Sequence, residues 1–534
     1  MLARTLSYGL SGVSGFAVKV EVYSAGGLPQ LDIIGLPDAS VKESRDRVSA
    51  AIVNSGFAMP ISRLTVNLAP ADVRKEGPAF DLPIAIAILL AANQIDPMDL
   101  TRTLLLGELS LDGTLQPVRG ALPMVISASE EGICEVILPE GNAEEVACIQ
   151  GVRVYPAKNL RQVVMHLKGK SPIPAQVQRS YQEIVSSAVC MMDMAQVQGQ
   201  TAARRALEVA AAGGHNMLMI GVPGSGKTML ARCLPGILPP LTFSEALETT
   251  RIHSIAGKLR PGDGLMAARP FCAPHHSASV ASLIGGGSNA RPGEVSMAHN
   301  GVLFLDELPE FSRNALEALR QPLEDGTVSV TRVMNQAQYQ SSFMLVASMN
   351  PCPCGFFGSR QKKCRCSKNE IRRYLDRVSG PLLDRIDLHV NVPSVEYEAM
   401  RRKSAPESSA VVKARVDAVP VREINAGGAG ESSQVVGERV RRARELQQAR
   451  YAKDGIHCNA QLDAKLSRKY CPMTPEAESV LHVAVERMGM SMRAYGRVIK
   501  VARTIADLAG AEVIGMEHIA EAIQYRELDG KYWQ

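Results

Sequence analysis

Gly221-Val222-Pro223-Gly224-Ser225-Gly226-Lys227-Thr228 stands between the apolar run Asn216-Met-Leu-Met-Ile220 and the helical pattern Met229-Leu-Ala-Arg-Cys-Leu234. Strand, glycine-rich loop and helix in this order are what a P-loop needs. The glycines let successive backbone N–H groups turn toward phosphate oxygens. Lys227 is placed to reach the β- and γ-phosphates of ATP, and Thr228 to ligate Mg²⁺. The eight-residue pattern alone arises by chance, and the strand and helix in register argue against that here.

Downstream, Gly301-Val-Leu-Phe-Leu-Asp306-Glu307 is an apolar run ending in two carboxylates, the pattern of a Walker B strand. Asp306 would hold Mg²⁺ through water, and Glu307 would polarise the attacking water. The plainer reading is a buried strand ending in exposed acids. Ser342-Phe-Met-Leu-Val-Ala-Ser-Met-Asn350 is a third such strand. A strand-end asparagine taken alone is a turn residue. The order and spacing favour a sensor 1 amide that orients the lytic water. Arg385 lies between acids in Gly380-Pro-Leu-Leu-Asp-Arg385-Ile-Asp-Leu388. In motors of this kind such an arginine crosses a subunit interface to the neighbour's γ-phosphate; the alternative is a salt-bridged surface arginine. Ser491-Met-Arg493 opens the last long helix. Arg493 is the sensor 2 candidate, with Arg497 one turn later as its rival.

A length of 534 residues implies two to four domains. In residues 1–170, Val18, Val20 and Val22 alternate with polar neighbours, as do Leu64, Val66 and Leu68, which marks half-buried strands. Asp81-Leu-Pro-Ile-Ala-Ile-Ala-Ile-Leu-Leu-Ala-Ala92 reads as a buried helix with Pro83 in its first turn. The pattern breaks at Lys168-Gly-Lys-Ser-Pro-Ile-Pro174, a linker. Residues 190–395 form the nucleotide core. Residues 401–433 are poor in large apolar residues and read as a flexible linker. Residues 435–530 are helical, with Val498, Val501, Ala502, Ile505 and Leu508 in one stripe.

Net charge is +5, and no run of about 18 apolar residues suggests a membrane span. The N-terminus lacks the apolar stretch of a signal peptide. Eleven cysteines, an odd number scattered over a long chain, fit a reducing compartment, so the cytoplasm is expected. One Trp and 4% aromatics leave little material for base-stacking platforms.

Cys352, Cys354, Cys364 and Cys366 form C-x-C-x₉-C-x-C. Four thiols so close suit a tetrahedral Zn²⁺ site, although the commoner spacing is C-x₂-C. The alternative is a set of reduced cysteines in a mobile loop. Arg360, Lys362, Lys363, Arg365, Lys368, Arg372, Arg373 and Arg377 face only Glu370 and Asp376. Such density favours phosphate contacts to nucleic acid over a merely solvated charge run.

Together these residues resemble the Mg-chelatase-like AAA+ ATPases, specifically the ComM/YifB family. Further marks are Val197-Gln-Gly-Gln200, Arg269-Pro-Phe-Cys-Ala-Pro-His-His276, Pro292-Gly-Glu-Val-Ser-Met-Ala-His-Asn300 and Arg493-Ala-Tyr-Gly-Arg-Val-Ile-Lys500. The resemblance covers nearly the whole chain. It implies a homohexameric ring and ATP-driven branch migration of branched or single-stranded DNA, alongside recombination proteins, during natural transformation. The alternative is a chelatase-type motor that remodels a protein partner. Ile284-Gly-Gly-Gly287 matches the helix-2 insert of such motors. Thr327–Arg332 and Gln338–Phe343 alternate around Asn335 as a β-hairpin, matching the pre-sensor-1 hairpin. Both inserts grip polymer in related motors. Arg332 is then a phosphate contact or an ordinary hairpin residue, and His275 and His276 are structural, pore-lining or metal-binding.

Lys75-Glu-Gly-Pro-Ala-Phe-Asp81 and Gly107-Glu-Leu-Ser-Leu-Asp-Gly-Thr-Leu-Gln-Pro-Val-Arg-Gly120 resemble Lon protease segments. Ala79 stands where Lon has its serine, and Leu122 where Lon has its lysine. A Ser–Lys dyad needs both groups, so peptidase activity should be absent. RadA carries a comparable inactive domain and also moves DNA branches, which implies a ring-stabilising or DNA-contacting role here. The expected architecture is α/β: a Lon-protease-like (ribosomal-S5-domain-2-like) N-terminal domain, a P-loop parallel-sheet core and an all-α C-terminal lid. The chelatase motor subunit is expected to lack the N-terminal part, which would separate the two functional readings.

Overall fold

Alternating valines at 18, 20 and 22 are all fully buried and face Val66 and Leu68 across a strand pair. They belong to a seven-stranded sheet in the computed structural model, which describes residues 1–11, 14–187, 192–260, 263–286, 291–331, 336–359, 362–393 and 431–533. The strands are β1 (Leu2–Ser11), β2 (Ser14–Ala25), β3 (Gln30–Ile34), β4 (Arg63–Ala69), β5 (Thr103–Leu105), β8 (Glu135–Pro139) and β9 (Arg153–Ala157), with a small hairpin, β6 (Glu108–Leu109) and β7 (Leu115–Gln116), set apart. Their order is β3-β4-β2-β1-β5-β8-β9. The helix Asp81–Ala91 is buried on every side. Its composition dictates this, because a helix apolar all round has no face to offer water. Its one charge, Asp81, is neutralised by Arg47, whose Nε and Nη2 donate to the carboxylate at 2.9 and 3.1 Å. Ala79 and Leu122 are both core residues of one apolar cluster. The two positions of the missing dyad are therefore filled with hydrocarbon.

The second sheet contains β10 (Met217–Gly221), β11 (Phe271–Cys272), β14 (Val302–Leu305), β17 (Met344–Met349) and β18 (Leu388–Val392), in the order β11-β14-β17-β10-β18. Every pairing is parallel. β10, β14 and β17 are buried along their whole length, as expected for a parallel sheet covered on both faces. Two hairpins project from this core: β12 (Gly285–Gly286) with β13 (Arg291–Pro292), and β15 (Thr327–Thr331) with β16 (Gln336–Gln340). The second is the hairpin expected around Asn335, whose turn at 332–335 lies outside the described residues. A Cβ on Gly285 would sit 3.2 Å from Val330 Cγ2, so the hairpins touch.

The C-terminal region is helical from Ser433, and Val498, Val501, Ala502 and Ile505 are buried in one cluster with the helix Thr201–Gly213. Most of the 401–433 stretch lies outside the described residues. Its last three residues are described: Glu431 pairs with Arg439, Ser432 caps the helix Ser433–Tyr451, and Ser433 Oγ accepts the Met194 N–H at 2.7 Å. Among the described residues no helix is long and apolar enough to cross a membrane.

Among the described residues several further contacts join the regions. Leu241, Ala246 and Leu265 of the core enter the apolar cluster of the N-terminal region. Beside them Glu145 is buried, and its carboxylate accepts from Leu122 N at 3.1 Å, Asn142 Nδ2 at 3.1 Å and Ser254 Oγ. Burial raises the Glu145 pKa despite these donors. Behind the sheet, His215 Nδ1 lies 3.0 Å from Asp387 Oδ2 and its Nε2 lies 2.8 Å from Thr504 Oγ1. Asn459 Nδ2 donates to the same hydroxyl at 3.0 Å. Burial alone would raise the Asp387 pKa, but His215, Arg497 and Lys500 reverse this and hold the carboxyl below its ordinary range.

Thr504→Val keeps the shape of the side chain, leaves His215 Nε2 without a partner and removes one of the two acceptors of Asn459 Nδ2, which keeps Asp507 Oδ2 at 2.8 Å. An unpaired buried polar group costs about 1–3 kcal/mol. The denaturant midpoint should fall accordingly, with unchanged m-value; an unchanged midpoint would show that the seam contributes nothing.

Candidate nucleotide site

The strand β10 delivers the chain to the loop 221–228 at the C-terminal edge of the parallel sheet, where open α/β sheets bind ligands. Gly224 and Gly226 have φ of 75° and 89° and open space where a Cβ would stand. The left-handed turns favour glycine, and the clear space above them is a cradle for phosphate. Lys227 Nζ is held against that loop, donating to Gly221 O at 2.8 Å, Val222 O at 3.1 Å and Asn350 Oδ1 at 3.3 Å. Burial lowers its pKa, and Asp306 and Glu307 work in the opposite direction. Ser225 Oγ is buried without a hydrogen-bond partner. An open cradle, an unpartnered hydroxyl and a held ammonium fit a polyphosphate.

Asp306 is fixed from three directions. Thr228 Oγ1 donates to its Oδ2 at 2.8 Å, Ser348 Oγ donates to its Oδ1, and the Glu307 N–H donates to the same Oδ1 at 3.1 Å. Thr228 and Asp306 would together hold Mg²⁺, which supplies charge neutralisation at the β- and γ-phosphates when bound. Glu307 has φ 55°, an uncommon backbone for a non-glycine residue. Its carboxylate lies 3.4 Å from His276 Nδ1. Gln200 reaches the loop from outside, with Nε2 donating to Ser225 O at 3.2 Å.

The expected site residues fall at two places. Lys227, Thr228, Asp306, Glu307 and Asn350 converge at the C-terminal edge. Arg385 does not join them. Met217 pairs with Leu388 and Gly221 with Val392, so Arg385 precedes β18 at the opposite end of the sheet. There its backbone oxygen accepts from Asn216 Nδ2 at 2.8 Å and its guanidinium pairs with Glu324. Arg493 is at the same end, its Nη1 3.2 Å from Asp384 Oδ2 and its side chain exposed, whereas Arg497 is partly buried 3.5 Å from Asp387 Oδ1. Burial, with Arg320 and Arg493 nearby, lowers the Arg385 pKa.

The four cysteines come together. Cys352 Sγ is 3.4 Å from Cys354 Sγ and 3.7 Å from Cys364 Sγ, and all four sulfurs lie within 4.8 Å of one another. Tetrahedral zinc with Zn–S of about 2.3 Å requires sulfurs about 3.8 Å apart, so the thiols fit the ion. The N–H groups of Arg365 and Phe356 draw the Cys354 thiol down to about 6, while burial pushes Cys352 up to about 12. Among the described residues this is the only group of three or more His, Cys, Asp or Glu donors close enough to share an ion. Among the described residues His275 and His276 join no such group. Lys362, Lys363 and Arg365 are exposed around the cluster. Arg332 and Arg360 lie outside the described residues. Nearby, Arg313, Arg373 and Arg377 line an open cleft of about 490 Å³ with Glu310 and Asp376.

Ser348 escaped the sequence reading, and His276, singled out there as structural, pore-lining or metal-binding, was not placed beside Glu307. A serine inside the apolar strand Met344–Met349 was the available signal for the first. Nothing local signals the second, whose contact is tertiary.

All three regions of the chain have counterparts. Residues 193–400 match the family described as magnesium chelatase, subunit ChlI; residues 20–142 match subunit ChlI of Mg-chelatase; residues 430–526 match the C-terminal part of magnesium chelatase subunit ChlI. With the nucleotide site above, these matches define the class, a Mg-chelatase-like AAA+ ATPase. Competence protein ComM of Haemophilus influenzae is 41% identical over 528 residues, 99% of this chain and 98% of that protein. YifB of Escherichia coli is 42% identical over 518 residues, 97% and 96% of the two chains. The chain belongs to the ComM/YifB family. Lon protease of Trichlorobacter lovleyi is 25% identical over 178 residues, 31% of this chain and 21% of that protein. This protein is not a Lon-type protease, since Ala79 and Leu122 supply neither nucleophile nor base. The match of residues 20–142 to a ChlI description also means that the N-terminal region does not separate a DNA motor from a chelatase-type motor.

Groups that orient a metal-ligating carboxylate are worth about 10- to 100-fold in metal affinity. Ser348→Ala should therefore raise the Mg²⁺ concentration for half-maximal ATP hydrolysis by about tenfold or more. An unchanged Mg²⁺ dependence would remove Ser348 from the site.

Proposed function

We propose that the protein is an ATP-driven homohexameric motor that translocates on branched or single-stranded DNA and migrates branches in recombination, in the process named by its ComM relative. The observation that carries this is the separation of the hydrolytic groups. Lys227, Asp306, Glu307 and Asn350 occupy one end of the sheet, and Arg385 and Arg493 the other. A chain cannot bring its own Arg385 to its own Lys227 without dismantling β10 and β18. A neighbouring subunit can present it, as a ring does. Arg385 is then the arginine finger and Arg493 the sensor 2 residue of the adjoining site, with Arg497 held back by Asp387. The exposed Lys362, Lys363 and Arg365, with Arg360 and Arg332, supply phosphate contacts. Zn²⁺ on Cys352, Cys354, Cys364 and Cys366 braces that basic surface.

A Holliday-junction assay with ATP and Mg²⁺ tests the motor. Wild type should move the junction, and Lys227→Ala, Glu307→Gln and Arg385→Ala should not. Arg385→Ala should lower turnover by roughly 10³-fold or more while ATP still binds. No junction movement by wild type, with ATPase indifferent to DNA, would leave the protein-remodelling motor as the better account. Metal analysis tests the knuckle: about one zinc per chain is expected, and near none in Cys364→Ser/Cys366→Ser. Equal, near-zero content in both would rule out the site.

A further inference from the structure

The side chain of Gln200 joins parts of the chain that are distant in sequence. Its Nε2 donates to the Ser225 carbonyl of the P-loop at 3.2 Å and to the Pro393 carbonyl just past β18. Its Oε1 is buried without a hydrogen-bond partner, so the two donated bonds are what the amide contributes here. Its backbone is held at φ 54°, a left-handed conformation that non-glycine residues rarely adopt. One turn on, in the helix Thr201–Gly213, Arg204 Nη2 donates to the Glu431 carbonyl at 3.1 Å. Pro393 closes the sheet core, and Glu431 leads into the C-terminal helices. The start of one helix therefore holds both ends of the connection between core and lid, and the same amide holds the P-loop.

The P-loop end of this clasp has a direction. The Ser225–Gly226 peptide is trans, and in a planar trans peptide the carbonyl and the N–H point opposite ways. With the Ser225 carbonyl turned to Gln200, the Gly226 N–H is turned away from it. Ser225 Oγ is buried without a partner beside that same peptide. A phosphate entering the cradle would engage the hydroxyl and the N–H, and the peptide turns as one plate, so the carbonyl follows. The ladder between β10 and β18 ends at Gly221 and Val392. A Cβ on Gly221 would collide with Val392 O, so the end of β18 lies directly against the start of the loop. Beyond that point Gln200 carries the link from loop to strand.

We propose that Gln200 is a positioning residue that aims the Gly226 N–H into the phosphate cradle and passes the turn of that peptide to the end of β18. This rests on the ATP site and not on the DNA-motor reading. Further back on β18, the His389 ring faces Trp533 with centroids 5.6 Å apart. Trp533 is the one tryptophan of the chain, so its emission reports on this strand.

The test follows Trp533 emission of the full-length protein during titration with a non-hydrolysable ATP analogue and Mg²⁺. Calorimetry on the same samples gives the Kd. Wild type is compared with Gln200→Glu, which keeps the shape and loses the donors, and with Gln200→Leu. Wild-type emission should change as the site fills. Both variants should bind the analogue about two- to tenfold more weakly, the worth of one hydrogen bond, and at saturation their emission should stay at its nucleotide-free level. Variants whose emission responds as in wild type, or a wild type that is silent at saturation, would overturn the proposal. Complete loss of binding in both variants would also overturn it, because Gln200 would then serve the cradle itself and not its link to β18.

Discussion

The carboxylate of Asp306 is the knot on which the nucleotide site depends. It collects a hydroxyl from the start of the P-loop helix, a hydroxyl from the neighbouring strand and the N–H of the next residue. Each donor comes from a different covalent neighbourhood, so one anion fixes the relative height of β10, β14 and β17 at their C-terminal ends. An unpaired carboxylate here would be costly to bury. With three donors it becomes a rigid reference for everything that must meet the phosphates. Lys227 and Asn350 are held to one another across the same edge, and Glu307 hangs from the knot by a single turn of backbone.

A parallel sheet has two chemically different ends, and this protein uses both. The C-terminal end gathers the lysine, acids and amide. The N-terminal end gathers Arg385, Arg493 and Arg497 around Asp384 and Asp387. Asp387 is shared between that cluster and the buried His215–Thr504 seam, so the arginine end is anchored to the C-terminal helices. Movement of those helices against the sheet would shift the arginine cluster as one body. The sheet lies between the two sets of groups, so each interface of a ring would be made of unlike halves.

The elements that could be read from the sequence are those whose signal is contiguous. The loop 221–228 is a contiguous glycine-rich motif, and the strands ending in Asp306 and Asn350 are largely apolar runs with a chemical residue at the end; the sheet brings them to one edge. The hairpin around Asn335 and the C-x-C pairs were visible for the same reason. The places that the sequence did not disclose depend on pairing between distant segments. Nothing near Arg493 says that it stands by Asp384 and away from Lys227; that follows from the strand register of β10 and β18. His276 reaches Glu307 only because β11 and β14 run parallel in one particular register. Thr504 meets His215 from the far end of the chain. Glu145 reads as one more surface acid of a helix, and only the docking of the N-terminal region on Ser254 buries it. Ala79 and Leu122 were legible as absences, and their burial explains the absence: the positions now serve packing.

The cysteine knuckle shows how little separates the exterior of this core from its chemistry. A Cβ on Gly355 would stand 2.6 Å from Pro223, so the knuckle lies against the P-loop itself. Cys352 follows Asn350 by two residues and is fully buried, and its sulfur accepts the Phe357 N–H at 3.3 Å. Tyr374, buried on the helix Lys368–Leu375, takes a backbone hydrogen bond from Asn350. The amide that faces Lys227 is thereby gripped by the knuckle on one side and by the basic helix on the other. On the reading proposed above, polyanion drawn to Lys362, Lys363 and Arg365 pulls on the same short segment. On that same reading the pull reaches the nucleotide through Cys352 and Gly355 without crossing the sheet.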